Sequence, residues 1–280
     1  MTIREILTEA AAALGAAGIP EHARESSSLA QFALRKDRVF LISNPEYEPN
    51  ADELARFQNA LARRLSREPL QYITGRQEFY GLDLTVTPDV LIPRPETEML
   101  VEKAIELLRD TETPEFAEIG IGSGCISIST LVNATASRAA AVDISPAAIE
   151  VARNNAEIHG VSGRLELVES DLFAQFPARR FDLIVSNPPY VPATDLDGLQ
   201  PEVKSFEPRI ALTDGDDGTS IIRRIISGAP AFLKPGGFLV IEIGFDQSPA
   251  VSGFLDPAIW TQVEFFPDFQ GFPRMLVARL

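Results

Sequence analysis

An asparagine, two prolines and a tyrosine stand together at Asn187-Pro188-Pro189-Tyr190, directly behind the apolar run Asp182-Leu183-Ile184-Val185 and Ser186. Consecutive prolines lock φ and withhold two backbone donors, so Pro188 and Pro189 make a stiff loop with outward-facing carbonyls. A proline pair alone also marks an ordinary turn. The flanking residues point further. The Asn187 side-chain carbonyl and the Pro188 main-chain carbonyl are two acceptors, enough to take both hydrogens of a planar NH2 group. Such a nitrogen, in an amide or an aromatic amine, attacks poorly because its lone pair is delocalised. Held by both hydrogens, it gains electron density as it pyramidalises and can attack a methyl sulfonium carbon in line. The same fixed dipoles stabilise the positive charge that develops. Tyr190 can pack on the flat face of the group. No strong base is needed, because the methylated nitrogen becomes acidic as it forms, and alignment contributes most of the rest. Asn187, Pro188 and Tyr190 are therefore the candidate catalytic residues, and Asn187 to Tyr190 the candidate substrate cradle.

A second constellation lies upstream. The run Phe116 to Ile119 leads into Gly120-Ile121-Gly122-Ser123-Gly124. Glycines at a strand-to-helix turn let backbone approach a ligand closely. The spacing is GxGxG, and Cys125 stands where a NAD fingerprint would place its third glycine; on these residues alone, a turn needed only for packing stays open. About twenty residues on, Val142-Asp143 ends the next strand, with a carboxylate able to accept both ribose hydroxyls. Asp143 could instead cap the helix opening at Pro146, although Ser145 is better placed to do so. A third strand runs into Glu169-Ser170-Asp171-Leu172, where Asp171 can accept from an adenine amino group with Leu172 against the ring, or be a plain loop carboxylate. Three successive strand ends with ligand-type residues at one edge favour a nucleoside site.

The elements that must position these residues read as α/β. Residues 1 to about 75 read as helices: Ile3, Ile6, Leu7, Ala10 and Leu14 recur at helical spacing, a second helix covers about Glu21 to Leu34, and a third follows the N-cap Asn50. Glu78 to Leu82 and Leu84 to Val86 read as two strands about a glycine turn, and Ile92-Pro93-Arg94-Pro95 as extended loop before a helix through Leu108. Thereafter strands at Phe116–Ile119, Ala139–Val142, Leu165–Val168, Phe181–Val185 and Phe238–Ile243 alternate with helices at Ile126–Leu131, from Pro146 to about His159, and from about Ser220 to Leu233. Alternation of this kind predicts a mostly parallel, Rossmann-like sheet with helices on both faces. The last two strands, Gln262–Phe265 and Arg274–Ala278, are too close for a crossover and must be antiparallel. The expected organisation is a helical recognition domain over 1–75, a β-hairpin linker over 76–90 and a catalytic domain over 91–280.

Composition narrows the partners. Asp plus Glu number 40 against 25 Lys plus Arg, a formal charge of −15, which repels phosphate backbones unless the few basic residues cluster. Direct nucleic-acid binding is not expected. Cys125 is the only cysteine, which excludes an internal disulfide, and with His22 and His159 it is too little for a usual zinc set. No metal is expected. A reducing, cytoplasmic setting fits; no basic region precedes the alanine-rich stretch Ala10 to Ala17, and no run reaches the length of a membrane span.

These motifs and several longer segments resemble one family, and the resemblance covers nearly the whole chain. The segments are Pro69 to Gly75, Phe79 to Leu82, Leu91 to Glu98, the glycine turn, Asn187 to Tyr190, Glu207-Pro208, Ala211-Leu212, Asp214 to Gly218, Glu242-Ile243-Gly244 and Gln247. They resemble the peptide chain release factor N5-glutamine methyltransferases, also called the HemK/PrmC family. The resemblance implies methyl transfer from S-adenosyl-L-methionine to the glutamine amide of the Gly-Gly-Gln loop in release factors 1 and 2, by a protein expected to be a monomer. It also implies that Gly120, Ile121, Gly122, Ser123, Gly124, Asp143, Leu172 and Asn187 hold the cofactor, with Asp171 added to them by the reading of the third strand end alone. The Arg94 to Glu98 loop then lies over the site, with Thr97 a cofactor contact or merely part of a helix start. Two positions depart from the family pattern: Glu118 where Asp is usual, and Pro273 just before Arg274. Rival substrates are a ribosomal-protein glutamine, against which Pro201-Glu202-Val203 argues modestly, and adenine N6 in nucleic acid, against which the acidic balance argues.

Overall fold

A computed structural model describes residues 1–280. The chain opens with helices α1 (Ile3–Ala16), α2 (His22–Leu34), α3 (Arg38–Ser43), α4 (Ala51–Leu65) and α5 (Leu70–Thr74), followed by strands β1 (Arg76–Phe79) and β2 (Leu82–Thr85). Next come α6 (Glu98–Leu108), β3 (Glu115–Ile119), α7 (Cys125–Asn133), β4 (Arg138–Asp143), α8 (Pro146–Ile158), β5 (Leu165–Glu169) and β6 (Phe181–Ser186). It ends with α9 (Pro201–Phe206), α10 (Ser220–Gly228), β7 (Leu233–Glu242), α11 (Ser248–Ser252), β8 (Gln262–Pro267) and β9 (Pro273–Arg279). No helix is long and apolar enough to cross a membrane.

Contacts divide the chain into two units: Met1–Arg76 with Gln200–Phe206, and Gln77–Leu199 with Glu207–Leu280. In the first, α1 and α4 start with reciprocal capping boxes, Thr2 with Glu5 and Asn50 with Glu53, which satisfy backbone donors at each helix start. Their apolar stripes meet those of α2 in a core that includes Ile6, Leu14, Leu29, Leu34, Phe57 and Ile73. The segment Gln200–Phe206 joins this unit from far along the chain. Arg64, only 4% exposed, explains part of that attachment. Its guanidinium donates to Glu25 on α2 and, at 3.0–3.1 Å, to Glu202 on α9, while Arg67 donates to the other Glu202 oxygen at 3.0 Å. A charge this buried is tolerable only when paired on several sides.

In the second unit a seven-stranded sheet has the order β5-β4-β3-β6-β7-β9-β8. The pairs from β5 to β7 are parallel; β9 runs antiparallel to both β7 and β8. Alternate residues supply the two faces. Phe116, Ala139, Ala141, Leu183 and Val185 pack with Leu100, Ile126 and Ala152 of α6 to α8, whereas Ile119, Ala140, Val142, Ile184 and Ile241 pack with Ile222 and Ile225 of α10. Burial on both faces explains why these strands read as continuous apolar runs.

Three local readings are corrected by backbone chemistry. The two hairpin strands expected at Glu78 to Leu82 and Leu84 to Val86 lie earlier, at Arg76–Phe79 and Leu82–Thr85, because the turn is Tyr80-Gly81, both with positive φ (51° and 74°), the geometry two-residue hairpins favour. The hairpin is no free linker: Phe79 and Leu84 are core residues, and Asn155 of α8 bonds both the N–H and the carbonyl of Thr85. The helix expected to reach Leu233 stops at Gly228, one 3-10 turn follows over Ala229–Ala231 around Pro230, and Leu233 already opens β7 beside Phe181.

Candidate functional site

The sheet order reverses beside β3: the chain builds β3, β4 and β5 outward on one side, then returns to place β6 on the other. A crevice at the carboxyl ends is the expected ligand position at such a switch. The strand registers align those ends. Ile119 lies opposite both Val142 and Ser186, Asp143 opposite Glu169, and Ser186 opposite Ile241. Gly120, Ser170 and Asn187 thus follow their strands, and Asp143 and Glu242 end theirs, at one edge. Ser186 tightens the switch by donating its hydroxyl to the Ile119 carbonyl at 2.7 Å. A cavity of about 310 Å³ opens there, lined by Gly120 to Ser123, Asp143, Asp171, Leu172, Asn187 to Pro189 and Thr97, among others. Two expected residues do not line it. Gly124 faces inward, where an added Cβ would lie 2.6 Å from Ile128 Cδ1, and Tyr190 turns its hydroxyl to Glu242.

The glycine turn needs its glycines for two different reasons. Gly120 and Gly122 have φ of 77° and 53° with open space where a Cβ would point, so they serve the backbone path and leave the cavity clear. Gly124 (φ 84°) serves the packing of α7. That helix has no side-chain cap of its own. Glu118, 1% exposed, supplies one from the preceding strand by accepting from the Ser127 N–H at 2.9 Å. The longer reach of glutamate at this position is thereby used on the helix N-terminus.

Burial pushes the Glu118 carboxyl up to about 8, against hydrogen bonds from Ser127 that pull it down and the Asp143 charge that adds to the rise. Its ordinary value is 4.5. Between these two values the folded protein binds a proton that the unfolded chain has released, so stability falls as pH rises through the window. Glu118→Gln keeps the acceptor but cannot titrate. The variant should lose this decline of stability with rising pH between pH 4.5 and 8. Urea unfolding of both proteins across pH 5–9 checks this; parallel curves refute it.

Asp143 accepts from Gly122 N–H at 3.0 Å on one oxygen and Ser145 N–H at 2.9 Å on the other. A carboxylate has about four acceptor positions, so both oxygens keep capacity for a ligand. Burial raises its pKa while these backbone donors oppose the rise. Ser145 caps α8 through Ala148 N–H. Asp171 is half exposed and both its oxygens lie 3.0 Å from Arg224 Nη2, a partner the spacing of residues did not suggest. Leu172 occupies left-handed space (φ 50°), and its carbonyl accepts from Ser170.

Around Asn187 one chain of hydrogen bonds decides the geometry. Asn187 Nδ2 donates to Thr97 Oγ1 (3.1 Å), Thr97 donates to Glu242 Oε2 (2.7 Å), and Tyr190 donates to Glu242 Oε1 (3.0 Å). Asn187 Oδ1 and the Pro188 carbonyl accept no bond within the chain. Gln247 holds the far end of the loop, donating to the Tyr190 carbonyl at 2.9 Å and the Gly218 carbonyl at 3.2 Å while accepting from Gly244 N–H. The preceding loop is pinned as well: Glu207 accepts from Arg94 Nη2 at 2.5 Å and from Ile92 N–H at 3.3 Å.

Several lining residues escaped the sequence reading, among them Val90, Ile210, Ile221 and Ile225. Apolar residues on loops, like Val90, or on a helix that also faces the core, like Ile225, carry no pattern that separates cavity lining from core. Glu242 was within reach: a carboxylate ending a buried strand at the carboxyl edge meets the rule that singled out Asp143.

Comparison with known proteins agrees with this geometry. Residues 5–75 match the PrmC N-terminal domain, and residues 96–198 the methyltransferase small domain. In fold, the chain is similar to the hMettl16 catalytic domain in complex with MAT2A 3'UTR hairpin 6, with a TM-score of 0.59 and 16% identity over 79% of this chain and 81% of that one. Full-length similarity is far stronger to release factor glutamine methyltransferases. That of Geobacter sulfurreducens is 42% identical, covering 100% of this chain and 97% of the relative. That of Koribacter versatilis is 42% identical, covering 100% and 99%. With such identity from end to end, this chain belongs to the release factor glutamine methyltransferase family.

Proposed function

We propose that the protein transfers a methyl group from S-adenosyl-L-methionine to the side-chain amide nitrogen of the glutamine in the Gly-Gly-Gln loop of release factors 1 and 2. One observation carries the reading: the Asn187 amide spends its NH2 on Thr97, leaving its own carbonyl oxygen and that of Pro188 unpartnered beside the cavity. Two adjacent free acceptors suit one NH2 group.

The residues fit the cofactor. Open space above Gly120 and Gly122 suits close backbone contact, and Asp143 retains acceptor capacity for a ribose diol. Asp171 and Leu172 are the candidates at the base. When bound, the cofactor supplies an electrophilic methyl carbon on a sulfonium. The chain's own part is positional. Asn187 and Pro188 hold the amide by its hydrogens, so that its lone pair localises along the line of attack, and their dipoles meet the charge that develops. Tyr190 has its hydroxyl fixed on Glu242 and packs against the apolar core beneath the site, so it anchors the end of the loop. The proton lost from the methylated nitrogen leaves to solvent, because that nitrogen is strongly acidic once alkylated. The formal charge of −15 favours a protein loop over a phosphate backbone, and the reading carries a cytoplasmic setting and a monomeric enzyme with it.

Mass spectrometry of release factor, ribosomal protein and adenine oligonucleotide after incubation with enzyme and cofactor tests the substrate. A gain of one methyl on the Gly-Gly-Gln peptide is expected; methyl on the oligonucleotide alone overturns the reading.

A further inference from the structure

We infer that Glu242 is a positioning residue that sets the direction of the hydrogen bonds through Thr97 and so holds Asn187 with its carbonyl oxygen toward the substrate. The inference rests on the proposed methyl transfer but concerns a residue that touches neither substrate nor cofactor.

An asparagine amide has two faces of opposite sense, and a half-turn exchanges its donor and acceptor at almost no steric cost. Turned the wrong way, Asn187 would present NH2 to a substrate NH2, and neither group could bond. Something must choose between the two states. Thr97 cannot choose alone, since a hydroxyl can donate to Oδ1 or accept from Nδ2 equally well. Glu242 breaks the tie. It is 2% exposed and Thr97 is 1% exposed, so water does not compete. Its two oxygens each accept one hydroxyl, from Thr97 at 2.7 Å and from Tyr190 at 3.0 Å. With the Thr97 proton committed to Glu242, only the Thr97 lone pairs remain for Asn187, which therefore turns its NH2 inward at 3.1 Å. Burying a carboxylate here is costly, and burial indeed raises its pKa against the hydrogen bonds of Thr97 and Tyr190 and the charge of Arg274. An apolar residue would fill the space more cheaply but could not polarise the relay. Thr97, expected as a cofactor contact, has its one proton and one of its lone pairs engaged in this relay.

The test separates direction from mere support. Glu242→Gln is nearly isosteric but offers one acceptor oxygen for two hydroxyl donors, so the Thr97 proton is no longer committed. Thr97→Val keeps shape and removes the link, and Thr97→Ser restores it. In the ligand-free full-length protein labelled with 15N-asparagine, the Asn187 side-chain signals, assigned by their loss in Asn187→Ala, should shift in Glu242→Gln and Thr97→Val but stay close to wild type in Thr97→Ser. In turnover on release factor, kcat should fall at least tenfold in Glu242→Gln and further in Thr97→Val, with cofactor Kd within threefold and Thr97→Ser within threefold of wild type. Unmoved Asn187 signals in Glu242→Gln, or an unchanged kcat in both Glu242→Gln and Thr97→Val, overturn the inference. A wild type inactive on release factor would overturn the substrate reading instead, while the NMR arm still decides the relay.

Discussion

Asn187→Ala should lower kcat on release factor by about 10²–10³-fold, the loss typical when one preorganised polar group is removed from a transition state. Cofactor affinity should change far less, since the glycine turn and Asp143 lie on other strands and share no hydrogen bond with Asn187. In the proposed mechanism, alanine removes the oxygen that would take one substrate hydrogen and leaves the Pro188 carbonyl to work alone. Single-turnover methyl transfer and calorimetric cofactor binding, measured on the same preparation, test both halves. Retention of full activity would remove Asn187 from the mechanism, and a cofactor Kd weakened in step with kcat would make it a binding residue only.

The second large effect is expected at a glycine with no chemistry of its own. A Cβ at Gly218 would lie 2.2 Å from the Tyr190 carbonyl oxygen and 3.0 Å from Gln247 Nε2. Both neighbours are fixed, the carbonyl by the stiff proline loop and the amide by its three hydrogen bonds. Gly218→Ala must therefore push the catalytic loop aside or break the Gln247 clamp. It also forces an L-residue to a φ of 79°, a strain of about 1–2 kcal/mol. We expect a fall in Tm of several degrees and at least a tenfold loss of kcat. Gly215→Ala supplies the control: φ is 86° but nothing lies within 4 Å, so backbone strain acts there without the collision. Equal effects in the two variants would show that close approach to Tyr190 does not matter.

Much of the fold was legible because it rests on local patterns. Buried strands such as Leu183 to Val185 are apolar throughout, and their alternation with helices leaves few topologies. The antiparallel pair at the end followed from turn length alone, and its register bears this out. What escaped depends on contacts far apart in sequence. Glu207 explains the Arg94 loop across 113 residues, and Arg224 meets Asp171 across 53. Neither pairing leaves a trace in spacing. The site was similarly divided. Asn187 and Asp143 sit next to diagnostic neighbours in the chain, and Glu242 ends a strand as Asp143 does, whereas Gln247 gains its meaning only from the Tyr190, Gly218 and Gly244 backbone it bonds. The short helix α9 could not be read from six residues, because its place depends on Arg64 in another part of the chain.

That last attachment bears on how such a protein can be rearranged. The helical unit is not a single block at one end, because Gln200–Phe206 belongs to it as well. A gene fusion or graft made at residue 76 would carry away Arg64 and Arg67 and leave Glu202 behind without either guanidinium, while Arg64 would keep only Glu25 of its two carboxylates. An incoming helical module would have to arrive with a replacement guanidinium, or the recipient would have to surrender its carboxylate. Moving the helical unit intact would therefore mean moving Gln200–Phe206 along with Met1–Arg76.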